Sequence, residues 1–154
     1  LPPPPMPPPA GLKRHFDICS DLFARLRNAQ LAKKPTVPYP FSNLALNVTR
    51  ALTSEGYLSG YTLHPHPSHP HILDPTHITV HLKYNAEGPG GTGGVGAIRA
   101  IRRVSKPARR VYMGVRELPP SYGGLGRWVL STPKGVMCCS EARRLGVGGE
   151  VLGE

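Results

Sequence analysis

Several groups of side chains in this sequence have types and spacings that chemistry could use. His64, His66, His69, His71 and His77 form the densest cluster of imidazoles, the commonest transition-metal ligand. Pro65, Pro67, Pro70 and Pro75 hold that segment extended, however, and only Asp74 adds a carboxylate, so a structural use is predicted and no metal. Gly88 to Gly96 offers the permissive backbone of a phosphate loop but lacks the Gly-Lys-Ser/Thr ending and the helix that must follow, which makes it a flexible connector. Cys138 and Cys139 have no neighbouring His, and Glu141 close by disfavours a thiolate. Buried, inert thiols are expected, and no acid/base pair or nucleophile stands out: the sequence predicts no enzyme, no catalytic residue, no cofactor and no small-molecule substrate.

Two other groups point to binding. Arg99, Arg102, Arg103, Lys106, Arg109, Arg110 and Arg116 fall within 18 residues before any acid appears at Glu117. So many like charges repel one another unless a polyanion faces them. On an alternating strand Arg99 and Arg103 would share one face, with Arg102 off it, so that the patch spreads around a sheet edge and suits phosphate and shape readout. The loop Ser131-Thr-Pro-Lys-Gly135 gathers two hydroxyls, an ammonium and a permissive glycine into one turn between strands. Hydroxyls and backbone groups can read base edges, sugars and phosphates, and glycine lets a backbone approach closely.

These groups need positioning elements. Apolar residues at Ile18, Leu22, Leu26 and Ala29, with Phe23, predict an amphipathic helix over about 16–32. Pro35, Pro38 and Pro40 exclude helix beyond it but allow a short edge strand holding Val37 and Tyr39. Ser42 is placed to cap a second helix with the stripe Leu44, Val48, Ala51 and Leu52, closed at Gly56. Strands are predicted over 57–63 and 77–84, forming a hairpin, and then over 98–104, 110–115, 127–132 and 150–152. Ser140 is expected to cap a short helix through Leu145. The resulting fold class is α+β, in a length that allows one compact domain or two small lobes. Residues 1–15 read as a Pro-rich extended segment, 16–85 as an αβ part with a His/Pro-rich insertion at 64–77, 86–97 as a Gly-rich linker, and 98–154 as a β-rich part with one short helix.

Composition narrows the partner further. The chain has 154 residues, with 18 Gly, 19 Pro, a formal charge of +10 and three Cys. Much of the Gly and Pro lies in the leader and the two insertions, leaving a core of ordinary composition. Twelve of the 19 basic residues lie in 76–154, against five acids there. Such a balance predicts a nucleic-acid partner, because each neutralised phosphate releases counterions. No apolar run is long enough to cross a bilayer, so no membrane partner is predicted. The odd cysteine count with an adjacent pair predicts a reducing compartment.

The stretch Val104-Ser-Lys-Pro-Ala-Arg-Arg-Val-Tyr112, then Glu117-Leu-Pro119, Gly124-Leu-Gly126, Leu130-Ser-Thr-Pro-Lys-Gly-Val-Met137 and Glu141-Ala-Arg-Arg-Leu-Gly-Val-Gly-Gly-Glu150, closely resembles the universal small-subunit ribosomal protein S-eight family in its bacterial and organellar form. Asp21 to Gln30 and Ser42 to Tyr57 are similar to its first and second helices. The resemblance implies two small packed lobes, an αβ N-terminal lobe and a β-rich C-terminal RNA-binding lobe over 98–154, in a structural, non-catalytic constituent of the ribosomal small subunit, whose partners are the central domain of small-subunit rRNA and neighbouring small-subunit proteins. It implies that Ser131, Thr132, Lys134 and Gly135 enter an irregular RNA helix, that Arg109, Arg110, Tyr112 and Glu150 sit at or beside the RNA surface, and that Arg27 and Asn28 meet RNA from the first helix. Lys106 and Arg103 join this set from the basic cluster. Three residues depart from the family pattern: Pro133 stands for a second hydroxyl residue, Ala108 for a glycine and Asn43 for a lysine. The Pro-rich start and the two insertions suggest an organelle, mitochondria first, with a plastid or the bacterial cytoplasm as alternatives. A free RNA-binding translational regulator and an RNA-acting enzyme are the alternative functions.

Overall fold

A computed structural model describes residues 17–68, 75–85 and 94–154. The Pro-rich start, residues 69–74 with His69, His71 and Asp74, and most of the Gly-rich stretch lie outside these. The chain forms α1 (Ile18–Leu31), β1 (Thr36–Pro40), α2 (Asn43–Ser54), β2 (Leu58–His64), β3 (His77–Leu82), β4 (Tyr112–Met113), β5 (Val129–Thr132), β6 (Gly135–Cys138), α3 (Cys139–Leu145) and β7 (Gly149–Gly153). Two antiparallel sheets result, ordered β1-β3-β2 and β4-β7-β5-β6. The architecture is α+β in two lobes.

In the N-terminal lobe local chemistry fixes the helix ends. Asp17 accepts from the Ser20 backbone N–H at 3.2 Å, and Ser42 accepts from that of Ala45 at 3.1 Å, each satisfying a donor the helix cannot. At the far end of α2, Gly56 takes φ +84°, so that the Tyr57 N–H returns to the Leu52 carbonyl at 3.0 Å. Leu22, Phe23 and Leu26 of α1 are essentially fully buried, and each such side chain contributes roughly 1.5–3 kcal/mol. Val37 and Tyr39 are buried on the edge strand β1, facing Val80 and Ile78, while Pro38 points to solvent where no ladder bond is lost. The buried face of α2 is broader than the stripe expected, adding Ala45, Leu46 and Thr49, whereas Leu44 is only half-buried.

The main core crosses the lobe boundary: Ile101, Val129, Cys138 and Leu152 pack with the residues of α1, α2 and the first sheet. A smaller core of Leu118, Trp128, Leu130, Met137, Cys139, Ala142 and Val151 serves the second sheet and α3. Polar ties reinforce the junction. Arg103 pairs with Asp17 at 3.2 Å, Arg127 with Glu55 at 3.3 Å, and Arg27 donates to the Ile101 carbonyl at 2.8 Å.

Several expectations need correction. Residues 98–104 do not form a regular strand: they pair with β7 only around Arg103 and Gly153, where Phe23 of α1 presses against the glycine. The strand expected over 110–115 shrinks to the two residues of β4. Ser140 does not cap α3. Cys138 occupies that place, with φ −81° and ψ 162° and no side-chain cap, while Ser140 lies inside the helix and donates its hydroxyl to Glu55. His64, expected just past the strand over 57–63, instead ends β2, and it pairs with His77, which opens β3 as predicted, with the two rings stacked 4.3 Å apart. The connector also ends in pairing, since Gly96 bridges to Tyr84.

Candidate nucleic-acid interface

The second sheet brings distant sequence together at one end. Ser131 of β5 lies opposite Glu150 of β7, and Glu150 lies opposite Tyr112 of β4, so three residues spread over 39 positions of chain become neighbours across adjacent strands. Tyr112 is 68% exposed, which leaves its ring free for stacking. Arg110 reaches the same carboxylate, with Nη1 at 2.9 Å from Glu150 Oε1. Beneath it Ser105, fully buried, donates its hydroxyl to that oxygen at 2.5 Å and accepts from the Val111 N–H at 3.3 Å. Burial works against the Glu150 carboxylate, yet the hydrogen bonds from Ser105 and Arg110 together outweigh it and hold its pKa below the usual range. Glu150 is thus an anion that orients Arg110 and does not itself face a phosphate.

The β5–β6 hairpin turns on two residues, Pro133 and Lys134. Gly135 has φ +116°, a conformation that a side chain would resist, and it closes the turn opposite Thr132. The Thr132 hydroxyl donates to the Gly135 carbonyl at 2.8 Å and accepts from the Lys134 N–H at 3.2 Å. It shapes the turn while its remaining lone pair faces outward. The Ser131 hydroxyl, by contrast, has no hydrogen-bond partner among the described residues. Lys106 and Arg109 exchange backbone bonds of 2.9 Å in the turn before β4, and both are exposed.

Ser131, Thr132, Lys134, Gly135, Arg110, Tyr112 and Glu150 therefore gather in one region, with Lys106 and Arg109 on the neighbouring turn. Arg27 and Asn28 are exposed on α1, beside Ile101. Four residues of chain, about 13 Å at strand rise, separate Ile101 from Ser105. Arg103 stands apart. Its side chain is only 8% exposed and is committed to Asp17 and the Leu152 carbonyl. The alternation expected for the basic cluster is reversed, since Arg99 and Arg102 are exposed while Arg103 points inward. Residue typing missed Ser105 and Asp17, the groups that position Glu150 and Arg103. Their partners lie 45 and 86 residues away.

Chemistry beyond binding finds little footing. Burial pushes the Cys19 thiol up to about 11 and that of Cys138 to about 12, far from a reactive thiolate. No group of three or more potential metal ligands occurs among the described residues, and His64 and His77 direct ring nitrogens to Thr79 and Thr76.

A family model described as ribosomal protein S8 matches residues 17–154. The chain belongs to this family. Similar relatives carry the name small ribosomal subunit protein uS8. Those from Granulibacter bethesdensis and Nitrobacter winogradskyi are each 46% identical over 136 residues, covering 88% of this chain and 94% of the relative. One from Rhodopseudomonas palustris is 47% identical over the same spans. As a ribosomal protein S8 family member, the chain has both sheets and the hydroxyl loop within the matched region.

Proposed function

We propose that this protein is a structural, RNA-binding constituent of the small ribosomal subunit, with rRNA and neighbouring ribosomal proteins as its partners and no catalysis of its own. The observation that carries the reading is the convergence of Ser131, Tyr112, Arg110 and Glu150 at the exposed end of the second sheet, in a chain of this family. An unpartnered hydroxyl, an exposed ring and an oriented guanidinium suit an irregular RNA helix, whose bases and 2′-hydroxyls are open to stacking and hydrogen bonding.

The finer assignments are proposals too. The rRNA element is the central domain. The lobe from 98 to 154 supplies the specific surface, with Ser131, Thr132, Lys134 and Gly135 entering the RNA, Lys106, Arg109 and Arg110 holding phosphates, and Arg27 and Asn28 adding a contact from α1. Arg103 acts through the fold rather than by touching RNA. The location is the mitochondrial ribosome. Its support is the Pro-rich start and the inserted stretches, which depart from the compact family pattern; the bacterial cytoplasm is the competing reading, which the bacterial source of the similar relatives favours.

Chemical footprinting of small-subunit rRNA with the purified full chain tests the first point. Saturable protection confined to one irregular helix of the central domain is expected, and protection elsewhere or none overturns it. Fractionation of the source cells separates mitochondrial from cytoplasmic ribosomes.

A further inference from the structure

The end of β5 opposite the hydroxyl loop opens into a groove between the lobes with a volume of about 510 Å³. Phe23, Leu52, Tyr57, Ile98, Ile101 and Val129 line it. Its volume falls within the roughly 300–1,000 Å³ typical of ligand pockets. Its rim is formed by the turn around Ser121–Gly124, which displays two large apolar side chains to water: Leu125, 87% exposed, and Tyr122, 51% exposed. Tyr122 sits at φ 44°, ψ 47°, a left-handed conformation that a side-chain-bearing residue adopts only where its surroundings or function require it. Solvent-facing apolar groups beside an apolar hollow are what an interaction surface leaves uncovered in the free protein.

The charges at the mouth select the partner. Glu154 is buried and bound by Arg102 and by the Ser121 hydroxyl at 3.0 Å, and Glu55 is held by Arg127 and Ser140, so both carboxylates are already neutralised. Arg99 is exposed with no partner among the described residues. The same turn walls a second hollow of about 280 Å³, where Arg143 is likewise unpaired. An apolar floor with surplus positive charge at the rim does not suit nucleic acid, whose backbone needs cations against phosphate rather than leucine and isoleucine.

We infer that this groove docks a segment of a neighbouring protein that inserts an apolar side chain flanked by carboxylates. The inference rests on the small-subunit reading, which supplies such neighbours, and it places protein and RNA contacts at opposite ends of β5, about 10 Å of strand apart. A single side chain anchored in a desolvated pocket, with charge complementarity at its rim, is the usual form of such contacts.

The test uses the full chain carrying the photoreactive residue p-benzoylphenylalanine in place of Leu125, both on the rRNA fragment and in assembled subunits. Cross-linking to a protein segment with Asp or Glu next to an apolar residue is expected. Leu125→Glu, far from any core contact, is expected to leave affinity for the rRNA fragment unchanged and to lower retention in salt-washed subunits by about tenfold, the size of one lost anchor. Cross-links into rRNA, into a segment without carboxylates, or none in assembled subunits overturn the inference, as does unchanged retention of Leu125→Glu. Failure of the unsubstituted chain to bind the fragment overturns the small-subunit reading and this inference together; normal fragment binding with failed cross-linking overturns the docking site alone.

Discussion

The two lobes use charge in opposite ways. Around α1 and α2 the acids are committed: Asp17 to Arg103, Asp21 to Arg25 and Glu55 to Arg127. In the second lobe Lys106, Arg109, Arg116 and Lys134 are exposed without an acid partner among the described residues, and the carboxylate of Glu150 serves to aim Arg110. Two of the first lobe's three pairs reach across to the second lobe and fix the junction, while the second lobe, beside pairs of its own, leaves several cations exposed without one. Positive charge alone is therefore a poor guide to an interface, because Arg103 is turned inward onto Asp17 whereas Arg109, of the same chemistry, is exposed.

The sharpest way to break this division is through the shared core. Leu22→Ala should destabilise the whole chain by about 2–5 kcal/mol, because Val129 and Leu152 pack in the same cluster. Urea unfolding followed by Trp128 fluorescence and by far-ultraviolet circular dichroism should give one coincident transition; two separated transitions would show independent lobes. In the second lobe, Thr132→Ala should weaken binding to the cognate rRNA fragment by about 1–3 kcal/mol, while the two exposed turn hydrogen bonds it gives up lower stability by no more than about 1 kcal/mol. An equal loss for unrelated RNA helices would remove the specificity assigned to the loop.

Asp17→Ala should cost about 2 kcal/mol at pH 7, because it removes a helix cap and also strips the nearly buried Arg103 of its partner. Burial raises the Asp17 pKa, but hydrogen bonds from Ser20 and Arg103 together lower it below the ordinary value. In the unfolded chain Asp17 then binds its proton at higher pH than in the folded one. The stabilisation is present above the unfolded pKa of about 3.9 and disappears as pH falls through the lower folded value. Acid titrations of stability should lose that component in the variant, and identical acid curves would count against the cap. The smallest effect is expected for Arg109→Ala, which touches no acid. Stability should hold within about 0.5 kcal/mol, and the slope of log affinity against log salt should become shallower by about 0.7–0.9. An unchanged slope would take Arg109 off the phosphate surface.

Local signals made most of the first lobe legible. Four-and-three spacing marks α1, proline at alternate positions marks an edge strand, and Ser42 with Gly56 brackets α2, because each depends on residues within a few positions. The hydroxyl loop was readable for the same reason. What escaped depends on distance. Arg103 sits in a run of arginines that reads as surface, and only Asp17, 86 residues earlier, draws it inward. Ser140 resembles a cap until Glu55, 85 residues earlier, takes its hydroxyl. Residues 98–104 alternate well enough to suggest a strand, but their backbone bonds to β7 begin only at Arg102, which no local pattern announces.

The core that seats α1 also sets an order of events during synthesis. Cys19 and Leu22 pack with α2 and the first sheet of their own lobe, and Cys138 and Leu152 join the same cluster from well over 100 positions later, so the cover of α1 is complete only once the second lobe has docked. Contacts of such sequence separation slow folding and leave apolar surface exposed in the meantime.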